Sequence, residues 1–352
     1  MLKVHVQASR PYDVLIGSGL LKNAGALIAQ AVSPCRAAII TDKTVDALYG
    51  EKVQLSLQNA GFSACRMAFE PGEEHKNLQT YMQVLDFLCE NHLTRSDLIV
   101  ALGGGVAGDI AGFAAATYLR GVRFVQLPTT LLAMVDASVG GKTAIDLPQG
   151  KNLCGAFWQP SLVVCDTDTL STLPANTLTD GLAECFKHGI LRDESLFHLL
   201  ETQDIWQNIE EIVARNVRIK AEFVAQDERD TGIRQQLNFG HTLGHAIETL
   251  SNYALSHGQA VAIGMVYAAR IAHRLQLCDQ TVPARIETAL KNAGLPVSAP
   301  YSAEEITAVA LGDKKRAGDV LHMVLPLAIG ACTLHNVPVG TLKDVISLGV
   351  DA

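Results

Sequence analysis

A chain of 352 residues, 48% hydrophobic and 18% charged, is long enough for two domains and has the composition of an ordinary globular protein. Its net charge of −8 argues against a nucleic-acid partner, so an anionic ligand would need a local cluster of Lys and Arg. No uncharged apolar run approaches the roughly 20 residues that span a bilayer, no signal-peptide core opens the chain, and eight single cysteines without a CxxC pair suit reduced thiols in a cytoplasmic protein.

In chain order, residues 2–7 and 13–16 read as short strands and 19–32 as a helix. A buried strand at 36–42 leads to a helix at 44–60, a strand at 63–69 and a helix at 77–92. Apolar strands at 98–102, 123–127 and 162–165 continue the alternation. That pattern predicts a mostly parallel sheet with helices on both faces. Beyond residue 175 the texture changes to long amphipathic stretches such as Trp206 to Val224, so residues 1–175 form an α/β domain and 176–352 a helical one. One strand at 320–325 and a short helix near 340–348 close the chain.

Three places carry chemistry. After the strand at 98–102 comes Gly103-Gly-Gly-Val-Ala-Gly-Asp109 and a small-residue helix, where backbone N–H groups and a helix N-terminus could hold a pyrophosphate. The loop is not in the first βα unit, and the strand at 123–127 ends in Pro-Thr-Thr. Asp42, ending an earlier strand, is therefore the better ribose reader. Glycines of this kind equally serve tight strand–helix packing.

His241 and His245 stand four apart at the start of a predicted helix, and His257 follows a Ser-Asn-Tyr break. The spacing puts the first two imidazoles on one helical face. Any one of them could be a hydrogen-bonded core residue, but three together with Arg234 and Asn238 point to a metal site beside an anion site. The spacing is not the HExxH of a metalloprotease.

Arg120, Lys142, Lys151, Lys187, Lys220, Arg234, Lys314 and Lys315 lie among Gly, Asn, His or small residues. Singly each suits a solvated surface; as a set they suggest a phosphate- or carboxylate-binding pocket. Glu184 sits in an otherwise apolar helical segment, where a buried carboxylate needs a partner. A metal and the i,i+3 neighbour Lys187 both remain open for that part.

Assembled, these stretches resemble the 3-dehydroquinate synthase family of sugar-phosphate cyclases from about residue 10 to 345. The likeness rests on Pro-Gly-Glu-Glu-His-Lys, Gly-Gly-Gly-Val-Ala-Gly-Asp, Leu-Pro-Thr-Thr-Leu-Leu-Ala-Met-Val-Asp-Ala-Ser-Val-Gly-Gly-Lys-Thr, Leu-Asn-Phe-Gly-His-Thr-Leu-Gly-His-Ala and Asp-Lys-Lys, in that order. It implies a Rossmann-like NAD-binding α/β domain, an all-α metal-binding domain and an active site between them. The implied ligands of zinc, or cobalt, are Glu184, His241 and His257, with His245 as a proton-transfer histidine. The implied NAD contacts are Asp42, Glu73, Lys76, Gly104, Gly105, Val106, Asp109, Thr129, Thr130, Lys142, Lys151, Thr169 and Thr172.

Substrate contacts implied by the family are Asp136, Lys142, Asn152, Lys187, Lys220, Arg234, Asn238 and one of Lys314 or Lys315. Of these, Lys142, Lys187, Lys220, Arg234 and Asn238 join His245 as implied catalytic residues. Arg120 matches an arginine that reaches the phosphate across a homodimer interface. Asp230 stands where the family usually has Glu. The implied reaction turns 3-deoxy-D-arabino-heptulosonate 7-phosphate into 3-dehydroquinate by transient oxidation, phosphate elimination, re-reduction, ring opening and aldol closure. Rival expectations are another sugar-phosphate cyclase, a metal-dependent polyol dehydrogenase, and a non-catalytic descendant.

Overall fold

The computed structural model describes residues 1–314 and 319–351, the side chains of 313 and 314 apart. The chain opens with β1 (Leu2–Val6) and β2 (Tyr12–Gly17), then α1 (Ala24–Ala31), β3 (Arg36–Asp42), α2 (Lys43–Val45) and α3 (Glu51–Asn59). Next come β4 (Ser63–Phe69), α4 (Leu78–Glu90), β5 (Leu98–Gly103), α5 (Gly105–Thr117) and β6 (Arg123–Pro128). The hairpin β7 (Lys142–Leu147) and β8 (Gly150–Phe157) precedes β9 (Leu162–Asp166). Then follow α6 (Ala175–Arg192), α7 (Glu194–Thr202), α8 (Ile209–Gln226), α9 (His241–Leu250), α10 (His257–Arg274), α11 (Thr281–Asn292) and α12 (Ala303–Lys314). Strands β10 (Val320–Ala328) and β11 (Ala331–Pro338) and helix α13 (Leu342–Val350) finish the fold.

The first compact unit comprises Met1–Pro174 and Ile209–Asp230. Its seven-stranded sheet runs β1-β2-β9-β6-β5-β3-β4. Only the β1–β2 pairing in it is antiparallel; β2–β9, β9–β6, β6–β5, β5–β3 and β3–β4 are parallel. Successive side chains of a strand face opposite sides, and β3 displays the consequence. Ala38 and Ile40 join a core with Val84, Leu88, Ile110 and Phe124. Ala37 and Ile39 join the other, with Ile28, Val53, Leu57 and Val164. Burial on both faces is why these strands read as continuous apolar runs.

The order also sets where a ligand belongs. From β3 the chain moves outward to β4, whereas from β5 it moves the other way to β6. The carboxyl ends of β3 and β5 therefore flank a topological switch point, where open α/β sheets place their ligands.

The second unit comprises Ala175–Asn208 and Thr231–Ala352. Its central helix α10 is buried along nearly its whole length, from Gly258 to Ala272, and packs against α6, α9, α11, α13 and β10. A helix apolar all round belongs inside a bundle. The unit is not purely helical: β10 and β11 form an antiparallel ribbon with a register shift between Pro326 and Ala328. The predicted strand at 320–325 is the first half of that ribbon.

The chain crosses from the first unit to the second between Pro174 and Ala175. Helix α8 then returns to the first unit, packing on β1 and β2.

Candidate functional site

In the second unit Glu184 is fully buried in α6. Its Oε1 lies 3.6 Å from His241 Nε2 and 3.9 Å from His257 Nε2. One donor atom from each of the three residues falls within 4.8 Å of the others. Zinc–ligand bonds of 2.0–2.1 Å would need donors about 3.3 Å apart in a tetrahedron, so only a small inward movement is required. The donor chemistry fits: one carboxylate and two imidazoles make a three-ligand set that leaves a coordination position open. Glu184 is also ion-paired with Lys187, itself 1% exposed. Of the two partners considered for Glu184, Lys187 is therefore paired with it, and the two imidazoles that could share a metal with it face the same carboxylate.

Each histidine is placed by identifiable local chemistry. Gly240 takes a left-handed backbone (φ 77°) just before α9, and His241 starts the helix with Nδ1 3.1 Å from the Phe239 carbonyl oxygen. A proton on Nδ1 donated there leaves Nε2 as the lone-pair nitrogen facing Glu184. The break after α9 is a turn in which Asn252 and Tyr253 have positive φ. Ser256 then caps α10 in a reciprocal capping box with Gln259, so His257 is the first helical residue. From α6, one turn before Glu184, Asp180 accepts hydrogen bonds from the Ser256 hydroxyl and, at 2.6 Å, from the Gly258 amide.

Glycines let α9 and α10 approach. A Cβ on Gly264 would stand 2.0 Å from the Gly240 carbonyl oxygen. Gly264→Ala is expected to push the two helices apart, costing about 1–3 kcal/mol as overpacking does and weakening metal retention. Urea unfolding and zinc content of the purified variant would check this; full stability and full zinc would mean the contact is soft.

His245, one turn after His241, is exposed, its ring centroid 5.3 Å from that of His241 and 5.8 Å from that of His257. Burial, helped by the Lys187 ammonium and the two neighbouring imidazoles, holds His241 well below the ordinary histidine range. It is therefore neutral, as a metal ligand must be. Burial opposes protonation of His257 too, but the Glu248 and Glu184 carboxylates outweigh it and raise that pKa. Arg234 is 1% exposed, in a 3-10 turn over Ile233–Asn238 that also carries the exposed Asn238. Lys314, as a side chain, and Lys315 lie outside the described residues.

In the first unit Asp42, the Gly104–Val106 loop and Thr129 lie at or just beyond carboxyl ends of strands, whereas Lys142 and Lys151 lie at the starts of β7 and β8. Asp42 ends β3 and caps α2, its Oδ1 accepting from the Thr44 and Val45 amides at 2.9 and 3.0 Å. Its other oxygen lies 3.6 Å from where a Cβ of Gly103, at the end of β5, would stand. Across the switch point, then, Asp42 and the glycine loop are neighbours. Gly104 caps α5, and Gly105 and Val106 form its first turn. Thr129 follows β6 and donates its amide to the Gly103 carbonyl oxygen at 2.9 Å. The Thr130 methyl lies 3.2 Å from where a Gly104 Cβ would stand. The Thr169 hydroxyl donates to the Thr129 carbonyl oxygen at 3.3 Å, and Thr172 pairs with the Tyr49 hydroxyl at 2.7 Å.

Lys76, 5% exposed, is 2.6 Å from both Asp109 Oδ2 and Asn152 Oδ1. Burial would lower its pKa, but the Asp109 and Glu73 carboxylates outweigh that and raise it, so it is a charged ammonium. Lys151 stands 3.9 Å from Glu73. Lys220 on α8 is ion-paired with Asp136 and donates to that residue's carbonyl oxygen at 2.6 Å. Lys142 starts β7. It is ion-paired with Asp230, so the shorter acid at that position reaches a lysine. Arg120 is exposed in a 3-10 turn with φ 66°.

Sequence reasoning assigned no role to Asp180 or Glu248. Their signal was spacing: Asp180 precedes Glu184 by four residues, and Glu248 follows His241 by seven, both same-face intervals on a helix.

Known proteins give these clusters a family. The profile of the 3-dehydroquinate synthase N-terminal domain matches residues 66–180 and that of its C-terminal domain residues 181–316. The 3-dehydroquinate synthase of Caulobacter vibrioides (strain NA1000 / CB15N) is 48% identical over 337 residues, covering 91% of each chain. Among solved structures, 2-deoxy-scyllo-inosose synthase complexed with carbaglucose-6-phosphate, NAD+ and Co2+ superposes with a TM-score of 0.87 at 25% identity, covering 99% of this chain and 100% of that one. So does 2-epi-5-epi-valiolone synthase from Streptomyces hygroscopicus subsp. jinggangensis 5008 with NAD+ and Zn2+ bound, at 0.87 and 29%, covering 99% and 98%. With the two domain profiles matched over residues 66–316, the chain belongs to the 3-dehydroquinate synthase family.

Proposed function

We propose that the chain is a 3-dehydroquinate synthase, a phosphate-eliminating carbon–oxygen lyase of aromatic biosynthesis. It converts 3-deoxy-D-arabino-heptulosonate 7-phosphate into 3-dehydroquinate and inorganic phosphate. The observation that carries the reading is the buried Glu184 carboxylate facing the Nε2 atoms of His241 and His257. Identity favours this activity over the rival cyclases: 48% to a 3-dehydroquinate synthase, against 25% and 29% to the inosose and valiolone synthases.

Bound NAD would supply transient oxidation of a ring alcohol, and a zinc or cobalt ion would supply Lewis acidity. The chain's own share is binding, orientation and proton handling. In the first unit, Asp42 and the Gly104–Gly105 loop are assigned to NAD, with Glu73, Lys76, Val106, Asp109, Thr129, Thr130, Lys151, Thr169 and Thr172. Lys142 and Asn152 are assigned to the substrate phosphate, and Asp136 and Lys220 to the substrate's polar groups. In the second unit, Lys187 is assigned to phosphate and Arg234, whose planar fork suits bidentate pairing, to the carboxylate. Asn238 and the exposed His245 complete that set, His245 as a proton carrier. A cytoplasmic homodimer, with Arg120 serving the partner's phosphate site, belongs to the same proposal.

The test follows phosphate release and NADH absorbance in one cuvette. Stoichiometric phosphate without NADH build-up, abolished by a chelator and restored by zinc, is the expected outcome. No phosphate, with NADH accumulating on a simple polyol, would overturn the reading in favour of a dehydrogenase.

A further inference from the structure

Glu248 is a buried carboxylate in α9, 6% exposed, among the apolar Leu243, Ala246 and Ile247. A charge in such a place calls for a polar partner. Its Oε2 lies 3.5 Å from His257 Nδ1, while the other ring nitrogen, Nε2, lies 3.9 Å from Glu184 Oε1. One imidazole thus stands between two carboxylates, one at each nitrogen. His241 differs: its Nδ1 faces a backbone carbonyl oxygen, that of Phe239.

We propose that Glu248 is the positioning residue of the metal centre, accepting the Nδ1–H of His257 and so turning that ring's Nε2 toward Glu184 and His241. This rests on the metal reading above and deepens it. A carboxylate behind a ligating histidine fixes its tautomer and makes it a stronger donor. Two rings of one centre are then oriented by different means. His241 is held by main chain that no substitution of its partner can delete, whereas His257 depends on a single side chain. Glu248 could instead ligate a second ion with His245 and His257, whose atoms also fall within 4.8 Å of it. That would require His257 to give up Nδ1–H as well as use Nε2, which a neutral imidazole cannot do for two ions at once.

The experiment compares wild type, Glu248→Ala and Glu248→Gln in two measurements. Zinc affinity is read by competition with a chromophoric chelator, and the visible spectrum is read on the cobalt-substituted protein. Glu248→Ala is expected to bind zinc about 10- to 100-fold more weakly. Glu248→Gln, still able to accept the Nδ1–H, should recover most of that loss yet shift the cobalt bands, because the neutral amide makes His257 a weaker donor. Thermal unfolding of the metal-free proteins separates this from general damage. If the alanine variant does not fold, the cobalt spectrum of the glutamine variant decides.

Wild-type zinc affinity in the alanine variant, or an unshifted cobalt spectrum in the glutamine variant, would remove Glu248 from this role while leaving the metal centre intact. Two zinc ions per wild-type chain, one lost on Glu248→Ala, would make Glu248 a ligand instead. A wild-type chain that binds no divalent metal would overturn the metal reading itself.

Discussion

Glu184→Gln is expected to leave the chain without its divalent metal and to lower phosphate release by at least about 10³-fold. A Lewis acid contributes several kcal/mol to such a reaction, and each 1.36 kcal/mol is tenfold. An amide keeps the volume of the carboxylate but not its charge. The substitution acts on Lys187 as well, whose buried ammonium is ion-paired with Glu184. Removing one member of a buried pair costs about 3–5 kcal/mol, so urea unfolding of the metal-free protein should show a loss of that order. Zinc content after exhaustive dialysis, phosphate release and the urea midpoint are the three readings. A variant with one zinc per chain and more than a tenth of the activity would strike Glu184 from the ligand set.

Lys76→Met should destabilise the first unit by about 3–5 kcal/mol, again by breaking a buried pair, and weaken NAD binding. The lysine is the ammonium between Asp109 and Asn152, and methionine fills its volume without its charge. The pH dependence has a definite sign. Folding raises the Lys76 pKa, so its contribution is fully present below the unfolded value of about 10.4. It is lost as pH rises through the folded value. The stability gap between wild type and variant should therefore be flat from pH 7 to 9 and narrow only in stronger alkali. A gap that closes by pH 9 would mean the ion pair is not its source.

The parallel sheet was legible because its strands are buried on both faces and announce themselves as apolar runs. The histidine cluster was legible because His241 and His245 stand one helical turn apart and His257 follows soon after, whereas Glu184 joined it as a ligand only through the family resemblance. What escaped was polar or long-range. Hairpin β7–β8 pairs largely with itself and carries Lys142, Asp146, Lys151 and Asn152, so no continuous apolar run announced it as a pair of strands. Strand β11, Ala-Cys-Thr-Leu-His-Asn-Val-Pro, pairs with β10 alone and its apolar residues do not alternate with period two. Glu248 was hidden for a different reason. A single carboxylate in an amphipathic helix looks solvated until the fold reveals that its face is covered.

Helix α8 has a consequence for anyone who would take the molecule apart. The first unit is assembled from two stretches of chain separated by residues 175–208. An expression fragment ending at Pro174 would lack the buried side of α8, including Ile212, Val213, Val217 and Val224. It would leave bare the part of β1 and β2 on which that helix packs, and an uncovered apolar face invites aggregation. Nor does one protease cut free this unit, because three passages of chain join the two halves, at 174–175, 208–209 and 230–231. No single cut in the gene therefore separates the two units as their contacts divide them.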